Sequence, residues 1–556
     1  MRAALAILLL LPLMLWSQPP TDRYKAEIFD ISETNDVLFS SGVPQPEPGG
    51  GFYEFITGLP LNVDEYDTSP VDLYMDIFQP IGDTLSQRPL VIICFGGGFL
   101  TGSRDYWSIR LLCQELAKRG FVTASIDYRL GMNIFDEDLS KRAVYRGVQD
   151  ARAAVRFFRA DAAGANIYGV DPSKIFLGGH SAGAFMATHN AYLDKELERP
   201  PSTYSWIQDG NAVPDQGCLD CAGSYQAFDG HADAIFSLAG AVGSTSYIES
   251  SDDPTLVMFH SEDDGTVPYT SGEPFGSLLL LVIGDDLPTA YGSEPISERA
   301  DSIGLPYEFY SYTNRGHGVH ENGNSALYDD IVPGISDWFC RRELMPTPGT
   351  IIGDTISCIP SDGVAYHYPS EASTYYYDWI ASGGVLTPTS GYDSTATVTW
   401  DAAAGQGSLA MVPYSIWDAA GDTLWLTVTL QSSTTNTYVG SSSVWHDATS
   451  WSAGRIPQAC DDVVIPSSVS PVILTVPTQT EVNSLLLGQG HSLLVPSTSS
   501  FTIYQKAANA SLSALLLDGQ LNNDGALILG QRSQQLHLQL REGNLINTGT
   551  IEAYRQ

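Results

Sequence analysis

Residues Ser173–Leu193 read SKIFLGGHSAGAFMATHNAYL. The fold turns on whether Ser181, between Gly179 and Gly183, stands on a tight strand-to-helix turn or merely in a glycine-rich loop. Lys174–Leu177 is a short apolar run suited to a buried strand, and Ala182–Leu193 is rich in helix formers with apolar residues at helical spacing. Strand, sharp turn and helix is the setting in which a serine is pushed forward as a nucleophile, because flanking glycines let the chain close around it. Gly-x-Ser-x-Gly also arises by chance in a chain with 52 glycines. The reading is therefore carried by what lies on either side.

Upstream, PLVIICFGGGFLTGS (89–103) is a buried strand ending at Cys94 and then three glycines, Gly96 to Gly98. The backbone N–H groups of Gly97 and Gly98, with that of Ala182, are the expected donors to an oxyanion. Downstream, DPTLVMFHSEDDGTVPYTSG (253–272) is a strand followed by an acidic turn offering Asp263 and Asp264 as orienting carboxylates. YEFYSYTNRGHGVH (307–320) is a last strand and a loop with His317 between two glycines, while His320 is expected to begin or cap the following helix. NSALYDDIVPGISDWFCRREL (324–344) is expected to be a closing helix, kinked or split at Pro333.

The order Ser, Asp, His is that of α/β-hydrolases and of neither well-known serine protease order. Residues from about Val71 to Leu344 resemble the esterase/lipase branch of that superfamily, of the carboxylesterase and hormone-sensitive-lipase type. VDLYMDIFQP (71–80), FGGGF (95–99), SIDYRLG (125–131), VQDARAAVRFF (148–158) and GGHSAGA (178–184) follow one another in the family's order. The resemblance implies an α/β sheet flanked by helices and ester hydrolysis through an acyl-enzyme, without cofactor or metal. It also selects the acid, which the family places three residues before a Val-Pro pair; Val267 and Pro268 point to Asp264, with Asp263 as the alternative. The implied triad is Ser181, Asp264 and His317. One departure stands out: Phe95 occupies the place of the histidine in the family's His-Gly-Gly-Gly, so it must brace the loop by packing. Phe95, Phe99, His180 and Trp206 are pocket candidates, with Tyr225 and Phe228 in the long insertion beyond the elbow helix. The rivals are a peptidase of prolyl-oligopeptidase type, whose elbow usually reads Gly-x-Ser-Tyr-Gly-Gly, and a surface or adhesion protein with an inactive hydrolase domain. The ester itself stays open between small-molecule, polysaccharide-linked and polyester substrates.

The rest of the chain sets the frame. MRAALAILLLLPLMLWSQPP (1–20) has the form of a secretory signal peptide, read here as residues 1–17, implying bacterial export to the medium or the cell surface. No other segment is long and apolar enough to span a bilayer. A net charge of −37 argues against nucleic acid and anionic membranes as partners. Seven cysteines are few for an exported chain of 556 residues. Cys94 and Cys113 look like buried thiols, and Cys218 and Cys221 are spaced for a small disulfide. They lack the companions a zinc site needs, and the pairing of Cys340, Cys358 and Cys460 is undecidable.

Strands and helix-like segments alternate over residues 18–345, which is the pattern of a parallel sheet with helices. After a linker at 346–365 the helices vanish. Runs such as STATVTW (394–400), TLWLTVTL (423–430) and DDVVIP (461–466) mark an all-β tail whose basic residues are Arg455, Lys506, Arg532, Arg541 and Arg555. Residues 366–432 have the rhythm of an immunoglobulin-like sandwich and resemble PKD-like modules of secreted bacterial proteins. Residues 433–556 resemble a recurring surface-protein or sorting segment. LLLDGQLNNDGALILG (515–530) and GNLINTGTIEAY (543–554) suit a small β-solenoid or sandwich. A polysaccharide or cell-surface contact through this tail is the expected partner role, with Trp445 and Trp451 either stacking on sugars or filling a core.

Overall fold

The computed structural model describes residues 22–49, 62–208, 210–275 and 287–555, the last span with gaps at 360, 362, 370, 388–390, 402–404, 441, 469–471, 478, 504–514, 532–537 and 541–543. The signal-peptide segment lies outside the described residues. Among those described, no helix is long and apolar enough to cross a membrane. The chain divides into two compact units, one essentially residues 20–345 and the other the β-rich remainder.

The first unit is built on a mixed eight-stranded sheet. Its strands are β1 (Asp30–Pro48), β2 (Val63–Ile81), β3 (Arg88–Cys94), β4 (Val122–Ile126), β5 (Val170–His180), β6 (Ala234–Leu238), β7 (Thr255–Ser261) and β8 (Tyr307–Tyr312), in the order β1-β2-β4-β3-β5-β6-β7-β8. The β1–β2 and β2–β4 pairs are antiparallel and every later pair is parallel. This is the α/β-hydrolase arrangement. β4 and β6 are buried along their whole length because helices cover both faces, so their sequences run apolar without alternating.

Five helices matter here: α1 (Trp107–Lys118), α2 (Glu137–Ala163), α3 (Ala182–Tyr192), α4 (Ser293–Ile303) and α5 (Ile331–Phe339). α1 buries Ile109, Leu112, Cys113 and Leu116, the i, i+3, i+4, i+7 stripe of an amphipathic helix. α2 begins earlier than its apolar periodicity suggests. Asp136 caps it by accepting from the N–H groups of Asp138 and Leu139. Its inner face buries Arg142 and Arg146 against one carboxylate, Glu65, at 3.0 and 2.5 Å. Pro333 neither kinks nor splits the closing helix. α5 starts only at Ile331, so Pro333 falls in the first turn, where no intrahelical N–H bond is lost.

The second unit holds two architectures. The first is a sandwich of two four-stranded sheets sharing one core, with Tyr366, Trp400, Leu409 and Val428 among its buried residues. Strands Ile352–Gly353, Ile356–Ile359 and Val364–His367 belong to it, so the stretch expected as a linker at 346–365 already pairs into sheets. The second architecture follows from Thr434. It is a stack of parallel strands in three sheets, which is a β-solenoid. Leu485, Leu493, Phe501, Leu521 and Leu527 fill its interior, one face of each strand pointing inward. Trp445 and Trp451 are buried core residues, 1% and 2% exposed, and so are unavailable for stacking on sugars. Disulfides join Cys218 to Cys221 and Cys358 to Cys460, and Cys94, Cys113 and Cys340 are free and buried.

Candidate active site

Ser181 sits between the end of β5 and the start of α3 with φ 54° and ψ −117°. A non-glycine residue in that region costs on the order of 1–3 kcal/mol, a strain that persists only where its surroundings enforce it. The enforcement is visible on both sides. A Cβ on Gly179 would fall 2.3 Å from the carbonyl oxygen of Cys94, and one on Gly183 would fall 2.2 Å from the same atom. The last carbonyl of β3 thus occupies the space that any other residue at these positions would need. Both glycines of the motif are required by this packing, and the turn projects the Ser181 side chain above the sheet.

Facing it, Nε2 of His317 lies 2.9 Å from Ser181 Oγ, and Nδ1 of His317 lies 2.8 Å from Asp264 Oδ2. A carboxylate can only accept, so Nδ1 carries the hydrogen and Nε2 is left to receive the serine proton. The other oxygen of Asp264 accepts from the N–H groups of Thr266 at 2.8 Å and Val267 at 3.0 Å. Burial of Asp264 opposes its charge, but the His260 and His317 rings and the Thr266 N–H outweigh it and hold the carboxyl well below its ordinary range. Asp263 does a different job. Its Oδ1 accepts from the Gly316 N–H at 2.9 Å and the Ser261 hydroxyl at 2.5 Å, fastening the loop that carries His317.

Gly97, Gly98 and Phe99 all have positive φ, at 130°, 63° and 58°. A Cβ on Gly97 would meet Thr101 O at 2.0 Å, and one on Gly98 would meet the Phe275 ring at 2.7 Å. Ala182 opens α3, so its N–H has no acceptor within the helix. Phe95 points away from this space. It stacks on Tyr128 at 4.2 Å between ring centroids, and the Tyr128 hydroxyl donates to the Phe95 carbonyl at 3.0 Å. Ring packing and one backbone hydrogen bond hold the loop at this point.

A cavity of about 360 Å³ opens beside Ser181, walled by Phe99, Met132, Val144, Phe185, Val267 and Phe275. Lys141, Glu198 and Arg199 also line it. Of the pocket residues expected from sequence, Phe99 is there and Phe95, His180 and Trp206 are not among its lining residues. Phe95 is committed to Tyr128, and His180 is turned toward the carbonyl of His317, 2.9 Å away. Trp206 lies on a short hairpin with Asn211–Val213. Tyr225, likewise absent from the lining, packs edge-on against Phe157. His320 does not cap a helix; it is fully buried with Nε2 3.0 Å from Ser108 Oγ. The residues that sequence reading missed are His260, 3.3 Å from Asp264 Oδ2, and Phe275. His260 could have been suspected as a polar residue in an otherwise apolar strand four positions before the acid, whereas Phe275 carries no such signal. Asp220, Asp229 and His231 bring ligand atoms within 4.8 Å of one another. Arg152 and Arg156 already occupy Asp220 and Arg159 occupies Asp229, so the chemistry of this set is that of ion pairs.

A family model described as BD-FAE matches residues 75–279. Among curated proteins, a neuroligin-like protein glit-1 of Caenorhabditis elegans is 33% identical over 114 residues, covering 20% of this chain and 15% of that protein. A probable isoprenylcysteine alpha-carbonyl methylesterase ICME of Oryza sativa subsp. japonica is 26% identical over 251 residues, covering 41% of this chain and 56% of its own length. The chain thus spans 15% of the length of the first relative and little more than half, 56%, of the second. Among solved structures, the propionate-bound thermophilic esterase Est2 of Thermogutta terrifontis is 22% identical, with a TM-score of 0.34 over 48% of this chain and 89% of that one.

Proposed function

We propose that the protein is a carboxylic ester hydrolase of the serine type, acting through Ser181, His317 and Asp264. The observation that carries the reading is the unbroken line from Asp264 Oδ2 through both nitrogens of His317 to Ser181 Oγ, at 2.8 and 2.9 Å. Ser181 attacks the ester carbonyl as His317 takes its proton, and the N–H groups of Gly97, Gly98 and Ala182 receive the oxyanion. His317 returns the proton to the leaving alcohol, and a water activated by the same imidazole releases the acid. Asp264 stays ionised throughout, fixing the tautomer and stabilising the imidazolium. The methylesterase relative supports ester chemistry. The gap-free triad and the elbow reading His-Ser-Ala favour it over an inactive scaffold and over a prolyl-oligopeptidase type of peptidase.

The test is hydrolysis of p-nitrophenyl esters from acetate to palmitate by the mature chain. Turnover is expected to fall by about 10⁶-fold in Ser181→Ala. Equal rates in the two proteins, or no hydrolysis of any ester, would overturn the reading. The proposal extends to export, with residues 1–17 removed, and to a PKD-like role for the sandwich and a surface or polysaccharide contact for the tail. N-terminal sequencing of secreted protein checks export, and sedimentation of the tail-bearing chain with insoluble polysaccharides checks the polysaccharide contact.

A further inference from the structure

His180 ends β5 and Ser181 follows it in the turn, and both reach the same partner. Ser181 Oγ meets the ring of His317 at Nε2, while His180 Nε2 meets the backbone carbonyl of His317, each at 2.9 Å. We propose that His180 is a positioning residue that sets the distance between nucleophile and base by tying the backbone of His317 to the elbow itself; this rests on the serine-hydrolase reading above.

The other attachments of that loop explain why such a tie is needed. Before His317, the N–H groups of Arg315 and Gly316 are bonded to Ser261 Oγ, at the end of β7, and to Asp263 Oδ1, on the turn that follows it. The ring is held by Asp264 on that same turn. These three grips fix His317 to β7 and its turn; farther out, the Arg315 guanidinium pairs with Asp330 and His320 with Ser108 Oγ, and none of these attachments reaches β5, where the nucleophile lies. Gly316 and Gly318 flank the residue, so its own backbone supplies little stiffness. The His180 bond closes the gap from the nucleophile's side. A displacement of about 1 Å between reacting groups can cost on the order of 10²-fold in rate.

The surroundings fix how His180 acts. A carbonyl only accepts, so Nε2 carries the hydrogen. The ring lies 4.8 Å from that of His317 and 4.5 Å from that of His320, centroid to centroid. Burial first, and the neighbouring His317 second, push its pKa down to about 3, so it remains a neutral donor. Space for the ring comes from Gly96, where a Cβ would fall 2.7 Å from His180 Nδ1. The first glycine of the FGGGF stretch thus admits the tether, while the next two shape the loop over the serine.

The test compares His180→Phe, His180→Gln and His180→Asn in the full mature chain. Glutamine can place an amide N–H where Nε2–H lies; asparagine is too short, and phenylalanine keeps the ring without the donor. The readouts are the rate at which a fluorophosphonate modifies Ser181, followed by mass, and kcat and KM on p-nitrophenyl acetate. Expected are losses of about 10- to 100-fold in labelling rate and kcat for the Phe and Asn variants, KM within about twofold of wild type, and recovery to within about fivefold in the Gln variant. Equal rates in the Phe variant and wild type, or a Gln variant no better than Asn, would overturn the tether. Wild type that labels at Ser181 but hydrolyses no ester would sink the esterase reading while leaving the tether to be judged on labelling alone.

Discussion

Glycine meets the same steric demand in both units of the molecule, with different consequences. A Cβ on Gly97 would fall 2.0 Å from Thr101 O; one on Gly525 in the solenoid would fall 2.1 Å from Pro496 O, and one on Gly549 2.0 Å from Gly525 O. In the solenoid the freed space is filled by the backbone of the adjacent coil, so the gain is packing alone. In the α/β unit the space is filled by the Thr101 carbonyl of the same loop, so the gain is a tight turn that carries Gly98 to the edge of the cavity beside Ser181. What separates the two is the company of polar groups. The solenoid pairs Asn523 with Asn547, Nδ2 to Oδ1 at 2.6 Å, a contact between like neighbours with no proton to move. The α/β unit lines up an acid, a base and a hydroxyl.

The largest effect is expected from breaking that line. Asp264→Asn should keep the geometry but favour the wrong His317 tautomer, lowering kcat by about 10⁴-fold. Asp263→Asn, which only weakens the fastening of the loop, should cost less than about tenfold. Ester turnover of the two variants side by side decides between the neighbouring acids; comparable losses would contradict the division of labour drawn here.

The next effect is one of stability and belongs to the α/β unit. Glu65→Leu leaves the Arg142 and Arg146 guanidiniums buried, 1% and 2% exposed, without their shared carboxylate. Loss of one partner from a buried ionic cluster costs about 3–5 kcal/mol. Urea unfolding should show the transition of this unit moved to lower denaturant while that of the β unit stays put.

The two glycines give the sharpest form of the comparison. Gly97→Ala, whose Cβ would clash with Thr101 O and push the loop's N–H groups out of place, should lower kcat by about 10²- to 10³-fold, the cost of one oxyanion donor lost from reach. Gly525→Ala should leave kcat unchanged and instead destabilise the solenoid by about 1–3 kcal/mol, read by limited proteolysis of the tail. A solenoid variant that slowed ester hydrolysis would show that the units are energetically coupled.

These contrasts follow what was legible in the sequence. The parallel sheet showed because strands buried on both faces leave continuous apolar runs. The elbow showed because its glycines are demanded by the Cys94 carbonyl. Apart from His317, the histidines are harder to read: His180 and His320 are told apart only by their tertiary partners, and His260 shows only as a polar residue in an apolar strand. For that reason the sequence offers His180 as a pocket residue, whereas the structure turns it to the His317 carbonyl. The Cys358–Cys460 pairing spans 102 residues, and no local pattern marks it. Trp445 and Trp451 were ambiguous because an indole suits both a sugar platform and a coil core, and only burial distinguishes them.

The smallest expected effect tests burial against charge within the sheet. Asp233, at the entrance to β6, accepts from the Ile175 N–H at 2.7 Å and lies 3.4 Å from Arg159. Burial raises its pKa to about 6 despite those two partners. The folded state therefore holds this proton more tightly than the unfolded chain, whose Asp titrates near 3.9. Between about pH 4 and pH 6 the unfolded state binds fewer protons, so stability falls as pH rises through that window and the loss is complete above it. Asp233→Asn keeps an acceptor for Ile175 and removes the charge. It should stabilise the α/β unit by about 1–2 kcal/mol at pH 7.5, once solvent screening is allowed for, and by nothing at pH 4. Denaturant midpoints at the two pH values measure it. A variant less stable at pH 7.5 would mean that the Arg159 ion pair outweighs burial, and that this strand entrance tolerates charge as readily as the acidic turn after β7.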